Sequence, residues 1–281
     1  MSSAQDITLS PAPTAIALPT ATPRAESSCY PIVRMRAYDA ALDLLLVTLA
    51  LLLAESFVGR AVDWLVNRWP DQGILLINTA LGVASLLIIG IILLIRKQSL
   101  SSIGIRSASP GLIIGAWLAA IPACYIAMIL MALLYAVVSH SIGGGLSIEE
   151  IAAEREEFFA MAPSPTLATF ALFGLFTGIH EELLFRGFAM PRFIALFRSR
   201  TAGVILCAAV FGLLHSYQGT ISIFQTAGLG LVFSLVALWT RTIWPAILAH
   251  ALFNGINFSL IPLFKSMMPE LMRELSSQPA M

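Results

Sequence analysis

Thr177-Gly178-Ile179-His180-Glu181-Glu182-Leu183-Leu184-Phe185-Arg186-Gly187 sets two adjacent carboxylates and an arginine inside an otherwise apolar run. From Phe158 to Pro269 these two glutamates are the only acidic residues. A carboxylate at membrane depth costs about 2.5–3.5 kcal/mol on insertion scales, so such residues are rare and tend to carry function. On a helix, Glu182 and Arg186 are four apart and share a face, which lets them pair. Glu181 lies about 100° round the helix from its neighbour and cannot use the same arginine equally well. One carboxylate is neutralised and the other is available for chemistry. The competing reading is structural: an ion pair that only holds helices together.

The surrounding composition is that of a membrane protein. The chain has 281 residues, 58% hydrophobic and 11% charged, with a formal net charge of zero. Soluble domains carry about 25% charged residues. Zero net charge and the lack of a basic patch with interleaved aromatics argue against a nucleic-acid partner. Cys29, Cys124 and Cys207 are too widely spaced for a disulfide framework or a zinc cluster. The expected partners are the lipid bilayer and a membrane-associated peptide or protein.

Outward from the motif, the chain divides into four parts. Residues 1–36 are rich in Pro, Ala, Ser and Thr and read as a disordered tail. Residues 37–163 hold membrane spans near 37–58, 74–95 and 111–138, a polar link over 60–70, and an acidic stretch. Pro122 is expected to kink the third span. In the acidic stretch Ile148, Ile151, Phe158 and Phe159 recur near helical spacing, predicting a surface-lying amphipathic helix. Its glutamates read as a solvated face. Residues 164–264 form the organised part: one long helix to about Arg198, then spans over 201–217, 221–239 and 243–264, with 265–281 as a C-terminal tail. Short connections make these four antiparallel neighbours. The expectation is an all-α, polytopic transmembrane bundle of about seven or eight spans, its active site inside the C-terminal four helices. Arg34, Arg36, Arg96, Lys97, Arg106, Arg192, Arg198, Arg200 and Arg241 fall on one side and outweigh Arg60 and Arg68. That bias puts the N-terminus in the cytoplasm.

Counting along the helices brings further polar residues to the motif. With a turn near Arg200, Glu181 lies about 19 residues before it and His215 about 15 after, so their depths agree within roughly 6 Å. His250 and Asn254 are four apart and share a face of the last span. His180-Glu181 begins like the zinc-protease motif HExxH, but position 184 is leucine, so the motif fails. His140 beside Gly143-Gly144-Gly145 reads as solvated. A transporter would prefer broken helices and paired repeats, for which Gly228 and Gly230 are too little.

The order EExxxR, FxxxH, HxxxN, present as Glu181-Glu182 to Arg186, Phe211 to His215 and His250 to Asn254, resembles the CAAX-protease and bacteriocin-processing (CPBP, or ABI) membrane proteins. Ile103-Gly104-Ile105-Arg106 is similar to a short feature common among them. The resemblance implies an intramembrane endopeptidase of a bacterial inner membrane, acting on a membrane-associated or CAAX-like peptide. It implies that Glu181 is catalytic, that Glu182 and Arg186 are a structural pair, that His215 positions water, and that His250 and Asn254 stabilise the oxyanion. Such proteins are often called metalloproteases, and Glu181, His215 and His250 could supply three zinc ligands. No two of these lie within one helical turn, so a glutamate-activated water requiring no cofactor is the leading expectation, with zinc as the alternative. A non-catalytic scaffold or immunity-type protein using the same polar cluster structurally is the second class.

Overall fold

The computed structural model describes residues 35–145, 147–162 and 164–277. The tail expected over residues 1–36 lies outside them up to residue 34, as do Cys29 and residues 278–281. Among the described residues the protein is all helical. We number the helices α1 (Ala37–Arg68), α2 (Pro70–Ile95), α3 (Pro110–Ser141), α4 (Ile148–Met161), α5 (Leu167–Phe197), α6 (Arg200–Leu213), α7 (Thr220–Thr240) and α8 (Trp244–Ser277). Six of them are long and apolar enough to cross a membrane, and α6, with 14 residues, is the shorter seventh. At about 1.5 Å per residue α6 rises roughly 21 Å, less than a hydrocarbon core of about 30 Å. The chain is an integral membrane protein built as a polytopic helical bundle.

Local sequence explains where the helices begin. Ser109 and Ser199 accept hydrogen bonds from Leu112 N (3.3 Å) and Ala202 N (3.2 Å), satisfying amides that a helix start leaves over. Ser147 and Glu150 form a reciprocal capping box at the start of α4. The polar link expected over 60–70 is absent: α1 runs on to Arg68, and only Trp69 separates it from Pro70 at the first position of α2. Helix α3 passes through Pro122 without a break, and α8 continues beyond residue 264 to Ser277.

Three apolar clusters join the helices. Phe185, Met190, Val204, Phe211, Ile243 and Ile247 pack α5 to α8 together. Ala120, Cys124, Leu229, Phe233 and Ala249 set α3 against α7 and α8. Val47, Ile89, Ile92, Ile103 and Phe188 attach α1, α2 and the following turn to α5. The outward faces stay apolar, as lipid contact requires: Leu53, Phe57, Leu118, Ile126 and Ile129 are all more than half exposed.

The two ends of the bundle differ in chemistry. At one end Asp43 and Arg192 are fully buried. Arg192 Nε donates to Asp43 Oδ2 (3.0 Å), Arg192 Nη2 to Gln98 Oε1 (3.0 Å), and Arg96 Nε to Asp43 Oδ1 (2.8 Å). Arg96 also donates to Asp39 at 2.9 Å. The turn between α7 and α8 docks at this end, where Ile243 N and Thr242 Oγ1 donate to the Gly104 carbonyl. That is the role of the Ile103–Arg106 feature. Helix α4 lies at the other end, against the start of α7. Single cysteines near Arg198 and near Glu154, in a chain with native cysteines replaced, should therefore react with an impermeant reagent from opposite sides of a vesicle. Labelling of both from one side would contradict this arrangement.

Candidate active site

Helix α5 carries the acidic motif and is not a uniform α-helix. Two stretches, Phe170–Phe176 and Leu183–Ala189, have π-helical hydrogen bonding and flank the α-helical Thr177–Glu182. Such widened turns release carbonyls from the regular ladder and occur often at functional sites. Phe173 O accepts from Asn254 Nδ2 at 3.3 Å, and Phe185 O lies 3.4 Å from the Cys207 thiol. Between the two stretches, α5 touches α8 almost backbone to backbone. A Cβ added at Gly178 would lie 3.0 Å from Ala251 N and 3.2 Å from Ile247 O. This approach carries the two glutamates, one turn further on, up to His250.

Glu182 is fully buried and its Oε1 is shared. Arg186 Nη1 donates to it at 2.6 Å, and His250 Nδ1 stands 2.9 Å away. Arg186 Nη2 donates to the Gly230 carbonyl of α7 at 3.1 Å. Its guanidinium sits 4.5 Å from the Phe211 ring centre and 5.3 Å from that of Phe233. Phe233 in turn stacks on His250, 4.9 Å between centres and 14° between planes. The cation is thus sandwiched by aromatic faces, a favourable setting for a desolvated guanidinium.

Glu181 faces a different way. Its Oε2 is 3.6 Å from His250 Nε2 and 4.0 Å from His215 Nε2. His215 Nδ1 is 2.7 Å from the Phe211 carbonyl. A carbonyl and a carboxylate only accept, so both histidines carry a proton on Nδ1 and turn the Nε2 edge toward Glu181. Three polar atoms from α5, α8 and the end of α6 therefore converge. Glu181 and His215 keep 16% and 14% of their side-chain surface accessible against 0% for Glu182, while the converging Glu181 Oε2 is itself buried without a hydrogen-bond partner.

Five of the six residues singled out from sequence, Glu181, Glu182, Arg186, His215 and His250, are brought together. Asn254 sits one turn along α8 with an amide hydrogen committed to Phe173. His180 is buried on the α2 side, its ring tilted against Phe176 at 5.2 Å and packed beside Gly82. His140 is exposed in the last turn of α3. Sequence reasoning missed the Glu182–His250 link, the stacking of Phe233 and the Gly230 carbonyl. The first joins residues 68 apart in the chain, and Phe233 is one apolar residue among many in its span.

Fold and site together define a polytopic membrane protein whose intramembrane polar cluster is made of glutamate and histidine. A family model described as "Type II CAAX prenyl endopeptidase Rce1-like" matches residues 163–256. This segment, about a third of the chain, contains every residue of the cluster, and the match supports a relation to the CAAX proteases. No curated protein and no solved structure matches.

The geometry divides the two acids. Glu182→Gln or Arg186→Ala leaves a charge buried without its partner, at a cost of about 3–5 kcal/mol, and should lower folded yield in detergent. Glu181→Gln should retain wild-type yield and melting temperature. Full yield and an unchanged melting temperature for Glu182→Gln would show that the pair holds nothing together.

Proposed function

We propose that the protein is an intramembrane endopeptidase in which Glu181 activates water for attack on a peptide bond of a membrane-associated substrate. The observation that carries this reading is the convergence of Glu181 Oε2 with His215 Nε2 and His250 Nε2, both imidazoles being tied back through Nδ1. Glu181 Oε2 and an unprotonated His215 Nε2 are compatible only with a hydrogen donor or a cation between them. A water held there donates one hydrogen to Glu181 and the other to His215 Nε2. Glu181 takes the proton as the water oxygen bonds to the scissile carbonyl carbon, and returns it to the amine that leaves. His215, held on the Phe211 carbonyl, orients the water. His250 enters the reaction with a proton on Nε2 as well as on Nδ1, the latter held by Glu182, and lends its Nε2 hydrogen to the oxyanion as a hydrogen bond without transferring it. The second amide hydrogen of Asn254 is the further donor, and preorganised donors in a low-dielectric site contribute most of such stabilisation. Glu182 and Arg186 stay out of the proton path.

Zinc is the alternative activator. Its donor set would be Glu181, His215 and His250, with the carboxylate of Glu182 behind one imidazole as in many metal sites. A tetrahedral zinc with bonds of about 2.0–2.1 Å needs ligand atoms roughly 3.4 Å apart. The Glu181–His215 separation of 4.0 Å exceeds this. Among the described residues no three His, Cys, Asp or Glu groups are spaced to hold an ion. We therefore derive no step through a metal.

The basic end, with Arg36, Arg96, Lys97, Arg106, Arg198, Arg200 and Arg241, is the cytoplasmic one by the positive-inside rule, and the membrane is a bacterial inner membrane. Glu181 lies 16 residues before Phe197, roughly 24 Å from that end at about 1.5 Å per residue. Leu167, at the other end of α5, is 14 residues away, so the cluster sits close to the middle of the span, at the depth of a peptide held within the bilayer.

Membrane-peptide profiles of cells making wild type or Glu181→Gln should differ in peptides cut only by the wild type. Identical profiles would favour the scaffold reading. Purified active protein should keep its activity after chelation. About one tightly held zinc per chain, lost together with activity in His215→Ala, would overturn the metal-free mechanism.

A further inference from the structure

Helix α4 reads in sequence as a solvated acidic face, and Glu150, Glu156 and Glu157 are exposed. Glu154 is not. Its Oε2 accepts from Thr220 N at 2.7 Å and its Oε1 from Thr220 Oγ1 at 2.9 Å. Thr220 opens α7, and the residue before it, Gly219, has no side chain with which to cap the helix. A helix start leaves its first amides unsatisfied and favours a negative charge. Glu154 supplies both from another helix, 66 residues earlier in the chain. Gly219 permits this in two ways. Its φ of +101° is strained for other residues, and a Cβ there would come within 2.8 Å of Glu154 Oε2. Further ties fasten α4 over the same end: Arg155 Nη2 donates to Gln225 Oε1 at 2.6 Å, and Phe159 stacks on Phe264 at 5.9 Å.

The position of this cap matters because of what precedes it. His215 stands beyond the last turn of α6, and the tight turn Ser216–Gln218 with Gly219 is all that separates it from Thr220. Its backbone N donates to Gly212 O at 3.0 Å, which holds it from the α6 side. On the other side it is held by whatever holds Thr220. Within the turn, Tyr217 lies over the His215 ring at 6.0 Å and meets Phe158 of α4 at 6.4 Å.

We propose that Glu154 is a positioning residue for the catalytic cluster: by capping α7 from α4, it fixes the turn that keeps His215 opposite Glu181. The proposal rests on the assignment of His215 to the reaction, and the experiment separates the two. Full-length protein in nanodiscs, with ¹⁵N-labelled histidine rings, gives four sets of signals assignable by single substitutions. In Glu154→Ala the His215 signals should move or split, those of His250 should stay, and amides 216–220 should exchange at least roughly tenfold faster. Glu154→Gln keeps an acceptor oxygen for Thr220 N and should show smaller changes of the same kind. Glu157→Gln, on the exposed face, should show none. If Glu154→Ala does not fold, Glu154→Gln is read alone. His215 signals and turn exchange identical to wild type in a folded Glu154 variant overturn the proposal. On a membrane peptide that the wild type cleaves, Glu154→Ala should lower kcat by roughly tenfold with KM little changed, as expected for lost alignment rather than lost binding. A wild type that cleaves nothing defeats the protease reading, and the histidine signals still decide on Glu154.

Discussion

The fully buried carboxylate of Glu182 is the constraint on which the site depends. An isolated ion of that kind in a bundle core costs several kcal/mol after relaxation, and only close partners offset the loss of water. Glu182 has two, Arg186 on its own helix and His250 on α8. The arginine in turn is held by the Gly230 carbonyl on α7 and by the rings of Phe211 on α6 and Phe233 on α7. One charge therefore obliges four helices to meet at one level. Two consequences for chemistry come with it. The Nδ1 proton of His250 is held in place, and the neighbouring Glu181 is left facing the imidazoles.

Helix geometry converts this constraint into a division of labour. Adjacent residues point about 100° apart, so Glu181 and Glu182 cannot share one environment. The widened turns on either side of Thr177–Glu182 release the Phe173 carbonyl to Asn254, while the short segment between them keeps the glutamates in α-helical register. At the basic end a second buried network, Asp43 with Arg96 and Arg192, ties α1 and the end of α2 to the same helix α5. Helix α5 is thus clamped by ionic contacts at one end and by close packing against α8 around Gly178.

Much of this was legible in the sequence, and what was missed has a common cause. Uncharged runs marked the spans, and the spacing of Glu182 and Arg186 announced their pair, because both are local properties of a helix. Depth counting from a single turn brought Glu181 and His215 to one level for the same reason. Contacts between distant segments leave no periodic trace. Asp43 belongs to no motif of the sequence, whereas it is a buried partner of two arginines. The polar link expected over 60–70 is helical up to Arg68, since Arg and Asp in a helix beyond the hydrocarbon carry no penalty that would break it. Gly230 was weighed for helix breaking, yet its carbonyl is what holds Arg186.

Glu154 is the instructive case, because its neighbours in sequence disguise it. Five glutamates in one short stretch look interchangeable, and Glu150, Glu156 and Glu157 fit the solvated reading that composition suggests. What distinguishes Glu154 lies 66 residues away, in a helix that starts on a glycine and so lacks a cap of its own. A capping residue is ordinarily sought just before the helix it serves. When that position must be glycine for backbone reasons, the requirement for an acceptor does not disappear but passes to whichever segment packs there. An uncapped helix start beside a proposed catalytic residue is therefore itself a signal. It directs the search to acidic side chains in a segment that local pattern alone would assign to solvent.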